Sequence, residues 1–313
     1  MTINVLYAGS EKSWPYYGQY LKLAFHQRRL DVLLKCNFSD PRDVDYIIYA
    51  PNGPFNDFSI FSNVKAVLSL WAGVESIVSN QTLTQPLCRM VDEGLTEGMV
   101  EYIVSHSLRY HINLDKQIFQ QDGIWRHDTM VPKLARDQTI GLLGLGALGS
   151  ACALKLRALN FNILGWSRTQ KKIPNISCLS GDEGFDKVIK TSDILILLLP
   201  LTKKTKYILN SKTLAKVKKG ICIINAGRGP LIDDEALITF IDNGTVAGAT
   251  LDVFVTEPLP KGHIFWEHPK VTVTPHIAAE TRPQTSSKSI AENIFRYENS
   301  LSLLNLVDRI EGY

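Results

Sequence analysis

Cysteine is scarce in this sequence and shows no paired spacing. The five cysteines among 313 residues are far apart and form neither a C-x-x-C pair nor an alternation with histidine. A disulfide framework or a zinc site is therefore not expected. With 34 basic and 31 acidic residues, the net charge is only +3, which is too small for a polybasic surface. We expect no metal ion and no nucleic-acid partner.

Long apolar runs are also missing. The longest, Ile194–Leu199, is far shorter than the about 20 residues that a membrane-spanning helix needs. The first residues show no basic stretch followed by an apolar one, which a secretory signal requires. We expect a soluble, cytoplasmic protein with no membrane partner.

Short apolar runs alternate with helical patterns along the whole chain, which predicts parallel sheets covered by helices on both faces. The chain is also too long for one ordinary core. We predict an α/β fold in which a Rossmann-type doubly wound parallel cofactor domain is inserted into a smaller flavodoxin-like substrate domain. The predicted boundaries are 1–100 for the first part of the substrate domain, 101–280 for the dinucleotide-binding domain, and 281–313 for a C-terminal helix and tail that return to the substrate domain. Within this frame, helices are predicted near Val74–Ser79 and over Thr96–Gln121.

The clearest local signal is a glycine-rich loop. Gly144, Gly146 and Gly149 follow the apolar strand TIGLL and precede the helical segment ACALKLRAL. In such a strand-to-helix turn, the first glycine permits the tight turn, the second lets a pyrophosphate approach the backbone, and the third packs helix against sheet. An ordinary glycine-rich turn is the alternative. It is less favoured, because the next strand ends about 20 residues further on, as the dinucleotide fingerprint requires.

The residues after that next strand indicate which dinucleotide binds. An Asp or Glu there would accept hydrogen bonds from the ribose hydroxyls of NAD and repel a 2′-phosphate, but this position has Ser167, Arg168 and Thr169. The two hydroxyls can donate to phosphate oxygens, and the guanidinium can pair with them. We predict NADPH as the cofactor, with NADH as a weaker alternative. The competing interpretation is a solvated basic loop that also includes Lys171 and Lys172.

Three polar residues stand at the ends of apolar runs in the second domain: Arg228, Glu257 and His276. Ligands bind at the carboxyl ends of strands in open α/β sheets. These residue types suit carbonyl reduction: a guanidinium for a carboxylate and the developing oxyanion, an imidazole for the proton, and a carboxylate to orient the imidazole. Singly, they could be a turn cap, a surface residue and a core histidine. Together, behind a dinucleotide loop, they indicate an active site.

Several segments resemble the D-2-hydroxyacid dehydrogenase family, and the resemblance covers essentially the whole chain. In order, they are GLLGLGALGS, LLLPLTKKTKYILN, INAGRGPLIDDEAL, AGATLDVFVTEPLP, HPKVTVTPHIAA and VDRIEGY. The last resembles the ending of the branch that reduces glyoxylate and hydroxypyruvate. The resemblance implies an NADP-dependent oxidoreductase that converts these small 2-keto acids to glycolate and D-glycerate.

The resemblance also implies site residues. Arg228, Glu257 and His276 match the catalytic trio, and Arg228 and His276 also match substrate contacts. Trp71, Ala72 and Gly73 match the loop whose backbone N–H groups hold the substrate carboxylate, although Glu75 stands where the family usually has Asp. The positions that match cofactor contacts are Gly144, Gly146, Ala147, Leu148, Gly149, Ser167, Arg168, Thr169, Leu199, Pro200, Thr205, Ala226, Gly227 and Asp252, the last at the nicotinamide end.

The sequence allows alternatives for the assembly and for the exact activity. The segment DGIWRHDTM around Trp125 resembles one that family members use in dimer packing, which implies a homodimer through the cofactor domain; Trp125 as a core anchor is the alternative. Two other functions compete with the reductase. One is a non-catalytic dinucleotide-sensing scaffold of the corepressor type, which shares the fold. The other is a different family member such as phosphoglycerate dehydrogenase, for which the NAD-type acidic residue is missing.

Overall fold

The computed structural model describes residues 2–313 and divides them into two compact units. Unit 1 comprises the chain up to Leu95 together with Glu280–Tyr313, and unit 2 comprises Thr96–Ala279. Unit 2 is thus inserted into unit 1 along the sequence. The first boundary lies a few residues before the predicted position 100, within the helix Glu93–His111.

The regular structure consists of parallel strands and the helices that connect them. The strands are β1 (Ile3–Ala8), β2 (Val32–Lys35), β3 (Tyr46–Tyr49), β4 (Ala66–Ser69), β5 (Leu87–Cys88), β6 (Thr139–Leu143), β7 (Asn162–Trp166), β8 (Ser177–Leu179), β9 (Ile194–Leu197), β10 (Ile221–Asn225), β11 (Val246–Leu251) and β12 (Val271–Val273). The α-helices are α1 (Trp14–Gln27), α2 (Glu93–His111), α3 (Leu114–Phe119), α4 (His127–Met130), α5 (Ala147–Ala158), α6 (Gly181–Thr191), α7 (Ser211–Leu214), α8 (Asp234–Asp242) and α9 (Pro283–Glu298). Among residues 2–313, none of these helices combines the length and apolar character needed to cross a bilayer.

Unit 1 is built on a five-stranded sheet with the order β2-β1-β3-β4-β5. This is the flavodoxin-like order of a doubly wound sheet. The central strands β3 and β4 are buried at every position, as strands covered on both faces should be. Helix α1 buries Tyr17, Leu21 and Ala24, which recur on one helical face, and it packs against α9. The C-terminal helix therefore belongs to the core of unit 1.

Unit 2 is built on a seven-stranded sheet with the order β12-β11-β10-β9-β6-β7-β8. Counted from β6, this is the Rossmann strand order with β12 as an added edge strand. Strand β6 pairs with β7 on one side and with β9 on the other, so the direction of winding reverses there. Ligands of open α/β sheets bind at such a switch point, beyond the carboxyl ends of the strands. The predicted α/β class with a Rossmann-type domain is confirmed.

Two local predictions differ from the structure, and one strand was not predicted. The stretch predicted as a helix at Val74–Ser79 is a turn, in which Ile77 N–H and Val78 N–H both donate to Val74 O; so short a segment gains too few hydrogen bonds to propagate a helix. The single helix predicted over Thr96–Gln121 is interrupted, because Asn113 adopts φ 53° between α2 and α3. Asn is one of the few residues that tolerate this left-handed conformation. Strand β8 was not predicted, since its three residues are too few to show a pattern.

Candidate active site

The glycine loop connects β6 to α5 at the switch point of unit 2. Gly144 has φ 110°, and a Cβ on it would lie 2.5 Å from Leu198 O. A Cβ on Gly149 would lie 1.9 Å from Gly144 O, whereas a Cβ on Gly146, the N-cap of α5, would meet no described atom within 4 Å. The first and third glycines are therefore required by the fold itself. The second leaves open space beside the N-terminus of the helix.

The loop after β7 has an inward and an outward side. Ser167 is only 8% exposed, and its hydroxyl donates to Thr169 O at 2.9 Å. Arg168 and Thr169 are exposed, and Gln170 Nε2 donates to Cys178 O at 2.9 Å, which ties the loop to β8. A hydroxyl has one hydrogen to donate, so Ser167 supports the loop from within. The exposed basic group at this position is Arg168.

The loop after β9 is closed by a second hydroxyl. Thr205 Oγ1 donates to Pro200 O at 2.7 Å and accepts from Thr202 N–H at 2.8 Å. Leu199 is buried, and its carbonyl oxygen would lie 3.1 Å from a Cβ on Gly227. The loops after β9 and β10 therefore meet at backbone distance. In this structure Thr205 stabilises a turn, as Ser167 does.

Arg228 is held by the buried amide of Asn225 at the end of β10. Asn225 is 1% exposed; its Nδ2 donates to Arg228 O at 2.9 Å, and its Oδ1 accepts from Gly227 N–H at 3.1 Å. A Cβ on Gly229 would lie 2.0 Å from the backbone of Phe254, so this loop lies directly against the one after β11. Asn225 was not among the predicted site residues, although a polar residue that ends an apolar strand was a usable signal.

His276 and Glu257 form a hydrogen-bonded pair across the next two loops. His276 Nδ1 lies 2.7 Å from Glu257 Oε2, and Glu257 Oε1 accepts from Phe254 N–H at 2.9 Å. The His276 side chain is 50% exposed and that of Glu257 36%. A carboxylate on Nδ1 holds the hydrogen on that nitrogen and fixes the ring, which leaves Nε2 for another partner. This arrangement suits proton transfer by His276.

Asp252 is buried beneath the His276 loop. It is 1% exposed and accepts from Thr274 Oγ1 at 2.6 Å, from Ile277 N–H at 2.9 Å and from Ala278 N–H at 2.9 Å. Its carbonyl oxygen accepts from His276 N–H at 2.9 Å. The carboxylate thus accepts hydrogen bonds from the segment that contains His276. A contact between Asp252 and the nicotinamide end of the cofactor stays a prediction.

The predicted substrate loop lies in unit 1, directly after β4. Trp71 is 45% exposed, its N–H donates to Ser69 Oγ at 3.0 Å, and its carbonyl oxygen accepts from Met90 N–H at 3.0 Å. Ala72 and Gly73 are half-buried. The loop is therefore held to neighbouring backbone through Trp71.

The structure thus brings the predicted residues of unit 2 to one edge of its sheet. Arg228, Glu257 and His276 follow β10, β11 and β12, which are adjacent and parallel, and the glycine loop follows β6. Carboxyl ends of parallel strands share one edge. A guanidinium, a carboxylate–imidazole pair and an open helix N-terminus are the groups that a dinucleotide-dependent dehydrogenase uses.

The chain belongs to the D-isomer specific 2-hydroxyacid dehydrogenases: the family model for their NAD binding domain matches residues 103–278. This confirms the family predicted from the motifs. The chain is 39% identical over 283 residues to glyoxylate/hydroxypyruvate reductase A of Serratia proteamaculans, which covers 88% of this chain and 89% of that protein. It is 37% identical, with the same coverage, to the protein of that name from Yersinia enterocolitica.

Two solved structures resemble the chain over nearly its full length. One is a D-isomer specific 2-hydroxyacid dehydrogenase from Xanthobacter autotrophicus in complex with NADPH and MES, at 34% identity, TM-score 0.88 and 99% of each chain. The other is an NADPH-dependent glyoxylate/hydroxypyruvate reductase from Sinorhizobium meliloti in complex with NADP and sulfate, at 30% identity and TM-score 0.84, covering 100% of this chain and 99% of that one.

Alanine at two of the loop glycines should have unequal effects on stability. In Gly149→Ala the new methyl group would lie 1.9 Å from a backbone oxygen, and we expect unfolding free energy to fall by about 1–3 kcal/mol. Gly146→Ala is the matched control, because its methyl group meets open space; a cost below about 1 kcal/mol is expected. Thermal unfolding measures both. Equal melting temperatures would contradict the close packing at Gly149.

Proposed function

We propose that the chain is an NADPH-dependent reductase of small 2-keto acids, converting glyoxylate to glycolate and hydroxypyruvate to D-glycerate. The observation that carries the proposal is the 2.7 Å contact between His276 and Glu257, on loops adjacent to that of Arg228 and at the same sheet edge as the glycine loop. The relatives named above support the choice of substrates. The family supports the reaction class.

The residues of unit 2 fit a bound dinucleotide phosphate. The open space at Gly146, beside the N-terminus of α5, suits a pyrophosphate. The segment 167–172 after β7 contains no carboxylate and exposes Arg168, which suits a 2′-phosphate and disfavours NAD. Both similar structures are complexes with NADPH or NADP. When bound, the reduced nicotinamide supplies the hydride that the substrate carbonyl carbon receives.

In the proposed mechanism Arg228 binds the substrate and His276 donates a proton to it. The guanidinium of Arg228 pairs with the carboxylate and with the carbonyl oxygen as negative charge develops on it. His276 Nε2 donates the proton that converts this oxygen to a hydroxyl, while Glu257 stabilises the imidazolium through Nδ1. The His276 side chain is half exposed, so water can restore its proton between turnovers.

The loop of unit 1 is proposed to hold the substrate carboxylate. Because Trp71 N–H already donates to Ser69 Oγ, this role falls to the backbone N–H groups of Ala72 and Gly73. We propose that the cofactor also contacts Leu199, Pro200, Ala226, Gly227 and Asp252. Ser167 and Thr205 act through the turns that they close.

Replacing the proposed proton donor should remove most of the turnover. We expect His276→Gln to lower kcat by about 10²- to 10⁴-fold, as for loss of a general acid. The measurement is loss of NADPH absorbance with a panel of 2-keto acids. The matched control is His268→Gln, because His268 also has a carboxylate partner, Asp242 at 3.2 Å, but lies before β12.

Two outcomes of this assay would contradict the proposal. Binding of NADPH without turnover of any 2-keto acid by the unaltered protein would favour a dinucleotide-sensing scaffold. Equal activity of the His276 and His268 variants would remove His276 from the mechanism.

The exposed guanidinium should determine cofactor preference. We expect Arg168→Ala to lower kcat/KM for NADPH by about 10- to 100-fold, since a charge-assisted hydrogen bond to phosphate is lost. The value for NADH should change by less than about twofold, because NADH lacks that phosphate. Lys172→Ala, a change of another exposed cation in the same loop, is the control. An equal fall in kcat/KM for NADPH and for NADH would contradict a contact between Arg168 and the 2′-phosphate.

We also propose a homodimer formed through unit 2. From the end of α3 to the start of β6 the chain exposes large apolar side chains, including Phe119 at 80% and Trp125 at 91%. Large apolar side chains exposed close together in the sequence suit a protein contact site, and the exposure of Trp125 argues against its being a core anchor.

The cysteines bear on the cellular location of the protein. All five are free thiols, which suits the reducing cytoplasm. We therefore also propose a cytoplasmic location.

Removing these two side chains should prevent dimer formation. We expect Phe119→Ala with Trp125→Ala to convert a dimer into a monomer, measured by sedimentation velocity at several concentrations. The control is Tyr16→Ala with Leu23→Ala, two exposed apolar residues of α1 at 65% and 53%. A monomeric unaltered protein, or a dimer that survives the first pair of changes, would contradict the proposed interface.

A further inference from the structure

A continuous chain of hydrogen bonds connects helix α2 to the His276 loop. Tyr102 OH lies 2.7 Å from Thr274 Oγ1, and Thr274 Oγ1 donates to Asp252 Oδ1 at 2.6 Å. Asp252 in turn accepts from the N–H groups of Ile277 and Ala278. The phenol of Tyr102 is therefore the outer end of a network that reaches both residues after His276.

The direction of this chain follows from the number of hydrogens available. Thr274 has one hydroxyl hydrogen, and it goes to Asp252. Tyr102 must therefore donate to Thr274 Oγ1. Burial raises the pKa of the Tyr102 phenol, so the hydroxyl keeps its hydrogen at neutral pH. By filling the acceptor side of Thr274, Tyr102 fixes the rotation that directs the threonine hydrogen at the carboxylate.

The His276 loop needs this support because its backbone is strained. His276 has φ 56°, in the left-handed region that costs most residues about 1 kcal/mol or more. Such a conformation persists only where the surroundings determine it. Here the N–H groups of three successive residues, His276, Ile277 and Ala278, all donate to Asp252. Asp252, through its carbonyl oxygen and its carboxylate, thus holds the backbone from which the imidazole projects.

We propose that Tyr102 is a positioning residue for the reaction: through Thr274 and Asp252 it holds the His276 loop in the geometry in which Nδ1 reaches Glu257. The proposal rests on the proposed function of His276. Among the described hydrogen bonds, that of Tyr102 goes to Thr274 and not to a proposed reacting group. It affects the fraction of molecules in which the imidazole is positioned to donate its proton.

The same helix provides a matched control. Two turns further along α2, Tyr110 OH lies 2.8 Å from Thr250 Oγ1, and burial raises the pKa of this phenol too. Thr250 is a fully buried residue of β11. No described hydrogen bond links this pair to Asp252 or to the residues after β12. Tyr110→Phe thus removes a phenol of the same kind, from the same helix, without touching the network.

The experiment compares Tyr102→Phe, Thr274→Val and Thr274→Ser with Tyr110→Phe. The first readout is hydrogen–deuterium exchange of the Ile277 and Ala278 amides in the absence of substrate. We expect about five- to tenfold faster exchange in Tyr102→Phe and Thr274→Val, as for loss of one hydrogen bond. Thr274→Ser, which keeps the hydroxyl, and Tyr110→Phe should stay within about twofold of the unaltered protein. The second readout is kcat, which we expect to fall in Tyr102→Phe and Thr274→Val and to change little in Thr274→Ser and Tyr110→Phe.

Three outcomes decide the proposal. The proposal is supported if exchange is faster and kcat lower in Tyr102→Phe and Thr274→Val, while Thr274→Ser keeps the exchange rate and kcat of the unaltered protein. The double variant that combines Tyr102→Phe with Thr274→Val should lose no more kcat than Thr274→Val alone, because both changes act through one chain of hydrogen bonds. Equal effects of Tyr102→Phe and Tyr110→Phe would overturn it, since helix packing alone would then account for the loss. If the unaltered protein reduces no 2-keto acid, the proposed function fails, while the exchange comparison still decides whether Tyr102 orders the loop.

Discussion

The buried carboxylate of Asp252 is the constraint around which the candidate active site is arranged. A carboxylate that is 1% exposed is costly unless hydrogen bonds replace its water. The chain satisfies it by folding the segment after β12 back over it, so that two backbone N–H groups and the Thr274 hydroxyl point at its oxygens. In that fold His276 adopts a left-handed backbone conformation, and its imidazole reaches Glu257.

The remaining loops at this edge follow the same rule: one polar group turns inward so that its neighbour can face outward. Ser167 closes the loop from which Arg168 projects, and Asn225 holds the backbone of Arg228. Because these supports bind backbone atoms, they fix the backbone position from which each functional side chain projects. Proposed functional residues and the residues that support the loop backbone thus lie close together in the same short segments.

Two strands of unit 2 were predicted with the bounds that the structure has. Strands β6 and β7 match their predicted bounds, Thr139–Leu143 and Asn162–Trp166, because nearly continuous apolar runs between helical patterns have few other interpretations. The break at Asn113 was not predictable, since the apolar pattern continues across it. Strand β8 and the turn at Val74 were also missed, because segments of a few residues carry no period.

The sequence by itself determined the α/β class, the family, the glycine loop and the residue types at the strand ends, because each depends on periodicity or on neighbours within one short motif. Only the tertiary structure decided which hydroxyls face inward, that Asn225 supports Arg228, and that Tyr102 reaches Asp252 through Thr274. The physical reason is separation: Tyr102 and Thr274 lie 172 positions apart, and a hydrogen bond between them exists only once the sheet has brought α2 beneath the end of β12.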